Sequence, residues 1–284
     1  MGDDLTMSPD DQHDDQHDDQ HDADPGLRGW GLIEEATLER PVLISPHLDD
    51  SVISCGQFLA AHPGTTVVTV FAGIPAAYPD QPSRWSVLGG FTAADDVVQI
   101  RRDEDRRALA RLGCVPRWLD FLESMFVADG ETVVAAPEIA DELESVLDEL
   151  DPSVVLLPFG LANPEHVVVH DAALLVRERW AARQRRTRPV DWVAYEDIAY
   201  KHIPGQLAWR VARLFRSAVW PTPVAMPVDP SPDAKREAMG EYPSQVRALE
   251  ADWGLWSRLD APTPEQYWRL DAPPAGWEAM IDLV

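Results

Sequence analysis

Two short stretches of the chain concentrate groups that bind metal ions and move protons. One is Pro46-His47-Leu48-Asp49-Asp50-Ser51; the other is Asn163-Pro164-Glu165-His166. Catalytic zinc takes three protein ligands from His, Asp and Glu and keeps one position open for water. His47 and Asp50, three residues apart, can bind from a single turn, and His166 can complete the set from the second stretch. That reading calls for Zn2+, one ion per chain. Asp49, next to Asp50 but pointing elsewhere, is then the spare carboxylate beside the bound water. Zinc lowers the pKa of its water from about 15.7 to roughly 7, and a neighbouring carboxylate can take the proton as the water attacks a carbonyl.

Plainer readings compete. An Asp ahead of a helix is a common N-cap worth about 1 kcal/mol, and Asp49 or Asp50 can be only that. His166 taken alone can be a surface histidine, and Pro164-Glu165 can merely open a helix. The metal reading gains weight from where the two stretches fall in the expected topology.

Both follow short apolar runs, Pro41–Ser45 and residues 153–158, that read as buried strands. Thr65–Ala72 is the strongest strand signal, and Arg117–Leu122 and Asp191–Glu196 are further strands. Helices are expected over 51–61, 95–112 (stopped by Gly113), 137–150, His166–Arg183, and 233–250 except at Pro243. Residues 74–92, rich in Pro and Gly, read as a long loop carrying Tyr78 and Trp85. Five prolines break up 205–232. Strands and helices alternate at βαβ spacing, which predicts one Rossmann-like α/β domain: a mostly parallel sheet with helices on both faces, plus a C-terminal extension. In such a sheet ligands bind at the carboxyl ends of strands. If the two apolar strands are central and parallel, the two loops face one crevice.

Composition narrows the partners. The 284 residues are 45% hydrophobic, enough for a substantial core. Acidic residues outnumber basic ones, 49 to 24, for a formal net charge of −25. Such a body repels phosphate backbones, which argues against nucleic acid and anionic membrane surfaces. No apolar run approaches the roughly 18 residues of a membrane span, and the first residues lack the basic and apolar regions of a secretory signal. Cys55 and Cys114 make no disulfide framework, so the expected location is the cytoplasm. The composition, rich in Ala, Arg, Asp and Trp, hints at a GC-rich bacterial genome. Residues 10–22 repeat the unit DDQH and offer nothing to bury. The predicted organisation is a disordered acidic tail over 1–27 and a catalytic domain over 28–284. His13, His17 and His21 of the tail would share a face only if it became helical.

The stretch Ser45-Pro-His-Leu-Asp-Asp-Ser-Val-Ile-Ser-Cys-Gly56 closely resembles the signature of the PIG-L/LmbE-like zinc N-deacetylases. Arg101-Arg-Asp-Glu104 with Ala108 and Leu112-Gly113 resembles a later helix of that family. Tyr195-Glu-Asp197 with Tyr200, and Lys235, Ala238, Tyr242 and Ser244-Gln245, resemble its following motifs. The similarity covers most of residues 40–250. It implies that His47, Asp50 and His166 bind zinc and that Asp49 is the general base. It also implies a linear amide, an N-acyl group on an amino sugar or glycoconjugate, as the bond cleaved. Many members read His-Pro-Asp-His where this chain has Asn163-Pro-Glu-His166. Asn can hydrogen-bond an oxyanion but cannot protonate a leaving amine. His170, four residues beyond His166 on the same helix face, is therefore a candidate substitute acid, against the plainer reading of a packing histidine. Arg101, Glu196 and Asp197 are candidate substrate contacts, each against a solvated or capping role, and Trp85 can stack on a sugar face. The alternative is a catalytically impaired metal-binding partner protein, for which Asn163 is the argument. A nucleotide-binding module is the third class, and no Gly-rich turn follows the first strand to support it.

Overall fold

The apolar runs become the centre of an eight-stranded sheet. The computed structural model describes residues 31–33, 35–127, 133–183, 189–229, 231–254, 264–273 and 276. In chain order the elements are β1 (Gly31–Leu32), β2 (Pro41–Ser45), α1 (Asp50–Ala61), β3 (Thr66–Thr69), α2 (Arg84–Gly89), α3 (Val97–Arg111), β4 (Val115–Trp118), α4 (Ala136–Leu150), β5 (Val154–Pro158), α5 (Pro164–Arg183), β6 (Asp191–Tyr195), α6 (Gln206–Arg216), β7 (Trp220–Ala225), α7 (Asp233–Met239), α8 (Pro243–Trp253) and β8 (Tyr267–Asp271). All belong to one compact unit. The tail expected over 1–27 lies outside the described residues.

The strand order is β1-β7-β8-β6-β5-β2-β3-β4. Every pairing is parallel except those of β8 with β6 and β7. All five residues of β2 and of β5 are buried, because helices cover both faces. Leu43 packs with Val52 and Phe58 of α1 and Leu109 of α3, whereas Val42 and Ile44 pack with Leu143 of α4 and Val169 of α5. Two-sided burial explains why these strands read as continuous apolar runs rather than alternating ones.

From β2 the chain moves outward to β3 and β4, then returns to place β5 on the other side of β2. The crossover direction reverses between β2 and β5, and the parallel register Leu43 to Leu156 brings their carboxyl ends level. This is the switch point at which open α/β sheets leave a crevice. The two chemistry-bearing loops sit at its rim.

Several expectations are corrected. The stretch 74–92 is not all loop: it contains α2, started by Ser83, whose Oγ accepts the Ser86 N–H at 3.0 Å. Gly90 ends it in the left-handed region at φ 91°. The strand placed at 117–122 lies at Val115–Trp118. The region 205–232 forms α6 and β7 despite its prolines. Pro221 and Pro223 are two apart, so both missing donors fall on the same side of the strand, and β1 pairs only with Val224 and Ala225. The C-terminal extension adds a strand to the sheet, since β8 lies between β6 and β7. Among the described residues, no helix is long and apolar enough to cross a membrane.

Candidate active site

The turn after β2 is held from below. Ser45 Oγ donates to the His47 carbonyl (2.8 Å) and accepts the Ser51 N–H (3.1 Å), and the Tyr195 hydroxyl donates to the Ile44 carbonyl (2.9 Å). Asp49 occupies the N-cap position of α1, but its side chain makes no capping bond. Its backbone has φ 157° and ψ −33°, outside the ordinary helical and extended wells. Strain of this kind collects at functional sites. The pure capping account of Asp49 therefore fails. Asp50 begins α1, and its Oδ2 accepts the His47 N–H at 3.0 Å and lies 3.0 Å from His47 Nδ1.

The second loop is fixed just as closely. Asn163 Oδ1 accepts the Glu165 N–H (2.9 Å) at the start of α5, and Asn163 Nδ2 donates to the Tyr200 hydroxyl (3.2 Å). Gly160 has φ 75°, and a Cβ there would lie 2.8 Å from both Arg210 and His170, so only glycine fits. His166, in the first turn of α5, is buried. Its Nδ1 is 2.6 Å from Asp197 Oδ1, while Asp197 Oδ2 accepts the Leu161 N–H (3.0 Å). Tyr200 meets the His166 ring edge-on at 5.1 Å between centroids.

These two loops bring His47, Asp50 and His166 together, with one ligating atom of each within 4.8 Å of the others. His166 Nε2 lies 3.1 Å from Asp50 Oδ2. It is nevertheless buried without a hydrogen-bond partner, because the two atoms are misaligned for an N–H···O bond. Two ligand atoms bound at roughly 2.0–2.1 Å to one tetrahedral ion stand about 3.4 Å apart. The donor set, its spacing and the orphaned Nε2 thus fit a divalent cation. Asp197 on Nδ1 orients the ring in the manner of carboxylates behind metal-bound histidines.

The electrostatics agree with that fit. Burial alone would raise the Asp50 pKa, but the His166 and His47 imidazoles hold it far below the carboxylate range. Burial would lower both imidazoles. Asp50 and Glu165 instead hold His47 well above 6.5, and Asp50 with Asp197 raise His166 to about 9. Asp49 moves the other way: burial and then the neighbouring Asp50 charge push its pKa well above the usual value, against Arg101 and His47.

A cavity of about 160 Å³ opens over these groups. Residues singled out from the sequence line it, among them His47, Asp49, Asp50, Asn163, Glu165, Arg101 and Trp85. Arg101 is 2% exposed and pairs with Glu123, so it is not a solvated surface arginine. Trp85 belongs to α2, and its Nε1 donates to Gln245 Oε1 of α8 (3.0 Å). Three candidates lie elsewhere. Asp197 holds His166 Nδ1 and does not line the cavity. Glu196 accepts the Trp268 Nε1–H (3.0 Å) and pairs with Lys201 (3.3 Å). His170 is fully buried with Nδ1 on the Pro158 carbonyl (2.8 Å), away from the cavity. Glu196, Asp197 and His170 are not among the residues that line the cavity. Glu123, Tyr200 and Gln245 also line the cavity. Of these, Tyr200 and Gln245 lie in stretches that carry the family resemblance, whereas Glu123 lies in none. A larger groove of about 480 Å³ between α5 and α6 holds none of the loop residues.

Residues 42–176 match the PIG-L family, described as GlcNAc-PI de-N-acetylase. Among solved structures, a deacetylase triple mutant involved in the teicoplanin biosynthetic pathway is 28% identical at a TM-score of 0.65, covering 84% of this chain and 100% of that one. The A40926 pseudoaglycone deacetylase is 27% identical at 0.63, covering 83% and 98%. The zinc-inhibited form of a teicoplanin deacetylase is 26% identical at 0.60, covering 84% and 100%. No curated protein matches the chain. The signature, the sheet and the two converging loops agree with that match: over residues 42–176 the chain resembles the PIG-L/LmbE-like deacetylases, hydrolases of carbon–nitrogen bonds other than peptide bonds.

Proposed function

We propose that the chain is a zinc-dependent N-deacetylase of an N-acylated amino sugar or glycoconjugate, with residues 28–284 as its catalytic domain. The observation that carries the reading is the meeting of His47, Asp50 and His166 beside an Asp49 carboxylate that caps nothing. His47, Asp50 and His166 would hold one Zn2+ per chain. When bound, the cation supplies Lewis-acid charge that polarises an acyl carbonyl and makes water easier to deprotonate. Asp49, lining the cavity, takes the proton of the attacking water as the new carbon–oxygen bond forms. The same carboxyl then gives that proton to the amine nitrogen as the carbon–nitrogen bond breaks, leaving a free amine and acetate. Asn163 has no proton to give, and its amide holds the Glu165 N–H and the Tyr200 hydroxyl at the wall. Asp49 therefore carries the proton in both directions.

Trp85, Met125 and Leu249 give the cavity an apolar side, and Arg101, Tyr200 and Gln245 a polar one, a mixture suited to a sugar bearing an acyl group. Asp49, Asp50, Glu123 and Glu165 outnumber Arg101, which favours a neutral or cationic substrate. The names carried by the similar structures, deacetylases of the teicoplanin pathway and of the A40926 pseudoaglycone, make those compounds the first to try. Two buried free thiols, Cys55 and Cys114, suit a cytoplasmic location. The impaired-partner reading is disfavoured by the Asp49 carboxylate facing the cavity.

The test is metal analysis followed by acetate release from a panel of N-acetylated amino sugars and glycopeptides. Asp49→Asn should keep zinc and lose roughly 10²–10⁴-fold in kcat. Wild-type turnover in that variant would remove the base assignment.

A further inference from the structure

Glu165 opens α5, and its carboxylate spans two segments far apart in sequence. Its Oε2 lies 2.8 Å from His47 Nε2, and its Oε1 accepts the Ser124 backbone N–H at 2.5 Å. Ser124 starts the short turn Ser124–Phe126. That turn places Met125 in the cavity wall, and Glu123 just before it pairs with Arg101. A carboxylate only accepts hydrogen bonds, so the proton between Glu165 and His47 sits on Nε2. With Nε2 engaged by Glu165, Nδ1, 3.0 Å from Asp50 Oδ2, is the His47 nitrogen left to ligate a metal. Asp197 performs the matching task on His166, but its second oxygen binds Leu161 N–H, inside the loop that already carries His166. Glu165 alone of the two reaches the substrate wall.

We propose that Glu165 is a positioning residue that couples metal binding at His47 to the shape of the cavity wall at Glu123–Phe126. The proposal rests on the metal reading above. A cation held by His47 would fix the ring in place and keep its Nε2–H on Glu165. The same carboxylate then holds the otherwise unmatched first N–H of the Ser124–Phe126 turn more firmly. Coupling of this kind is reciprocal, so a ligand that presses on Glu123 or Met125 changes metal affinity by the factor by which metal changes its own.

The experiment uses the full chain, stripped with a chelator and reloaded with zinc, and two variants, Glu165→Gln and Glu165→Asp. Three quantities are read: zinc affinity by chelator competition, amide hydrogen exchange over 121–127, and KM against kcat at saturating zinc. In the wild type, zinc should slow exchange at the Ser124 amide. In each variant zinc affinity should fall about 10–100-fold, the zinc-dependent protection of Ser124 should vanish, and KM should rise by a larger factor than kcat falls. A folded variant that binds zinc as tightly as the wild type, with the same zinc-induced protection of Ser124, overturns the coupling and leaves the metal reading standing. A wild-type chain that binds no zinc overturns both, and the wild-type arm identifies that case.

Discussion

His166 and His170 lie one turn apart on the same face of α5, and both are buried. Their surroundings differ completely. Burial lowers His166, yet Asp50 and Asp197 outweigh it and lift the imidazole to about 9. Burial also lowers His170, the nearby Arg210 charge lowers it further, and the group falls to about 3. One histidine faces carboxylates at the switch point, and the other donates to a strand carbonyl under the Gly160 turn. A spacing of four residues fixes the shared helix face. It does not fix what each turn of that face meets, and here the neighbouring charges separate a candidate metal ligand from a neutral structural histidine.

Three changes break or sharpen this contrast. His166→Ala should abolish stoichiometric zinc and deacetylation, while His170→Asn should load zinc as the wild type does; metal analysis of the two reads the difference directly. Equal metal loss in both would erase the distinction. Asp197→Asn removes the charge behind His166 but leaves the ligand in place, so zinc affinity should drop about 10–100-fold in chelator competition. The smallest effect is on stability against pH. His170 takes a proton near 6.5 when unfolded and only near 3 when folded. Between those values the unfolded chain binds a proton that the folded chain does not, so stability present above pH 6.5 is lost on acidification. The loss from this group is about 2 kcal/mol by pH 5. His170→Asn should flatten that part of the curve, measured as urea midpoints near pH 7.5 and 5 at fixed zinc. An unchanged slope would mean that the buried imidazole is not what titrates.

The parts of the fold legible in sequence are those where one segment decides its own state. Pro41–Ser45 and Val154–Pro158 are wholly apolar because helices cover both faces, and such runs stand out without alignment. The α2 helix was hidden because a cap of Ser83 and a stop of Gly90 sit in a stretch that otherwise reads as turns. Strand β8 was hidden because its neighbours, β6 and β7, precede it by many residues, and Tyr-Trp-Arg-Leu-Asp makes no continuous apolar run. In the site, His47, Asp50 and His166 were visible because ligand chemistry restricts residue type. The work of Asp197, Gln245 and Glu165 was not, because each acts through a hydrogen bond to a residue distant in the chain.

By itself the sequence determined which strands are central, which two loops carry the chemistry and which residue types are available there, since burial pattern and ligand type are local properties. Only the tertiary structure decided which carboxylate orients an imidazole and which faces the cavity without capping its helix. Those roles depend on distances of about 3 Å between loops joined through the sheet, and no periodicity in a single segment encodes them.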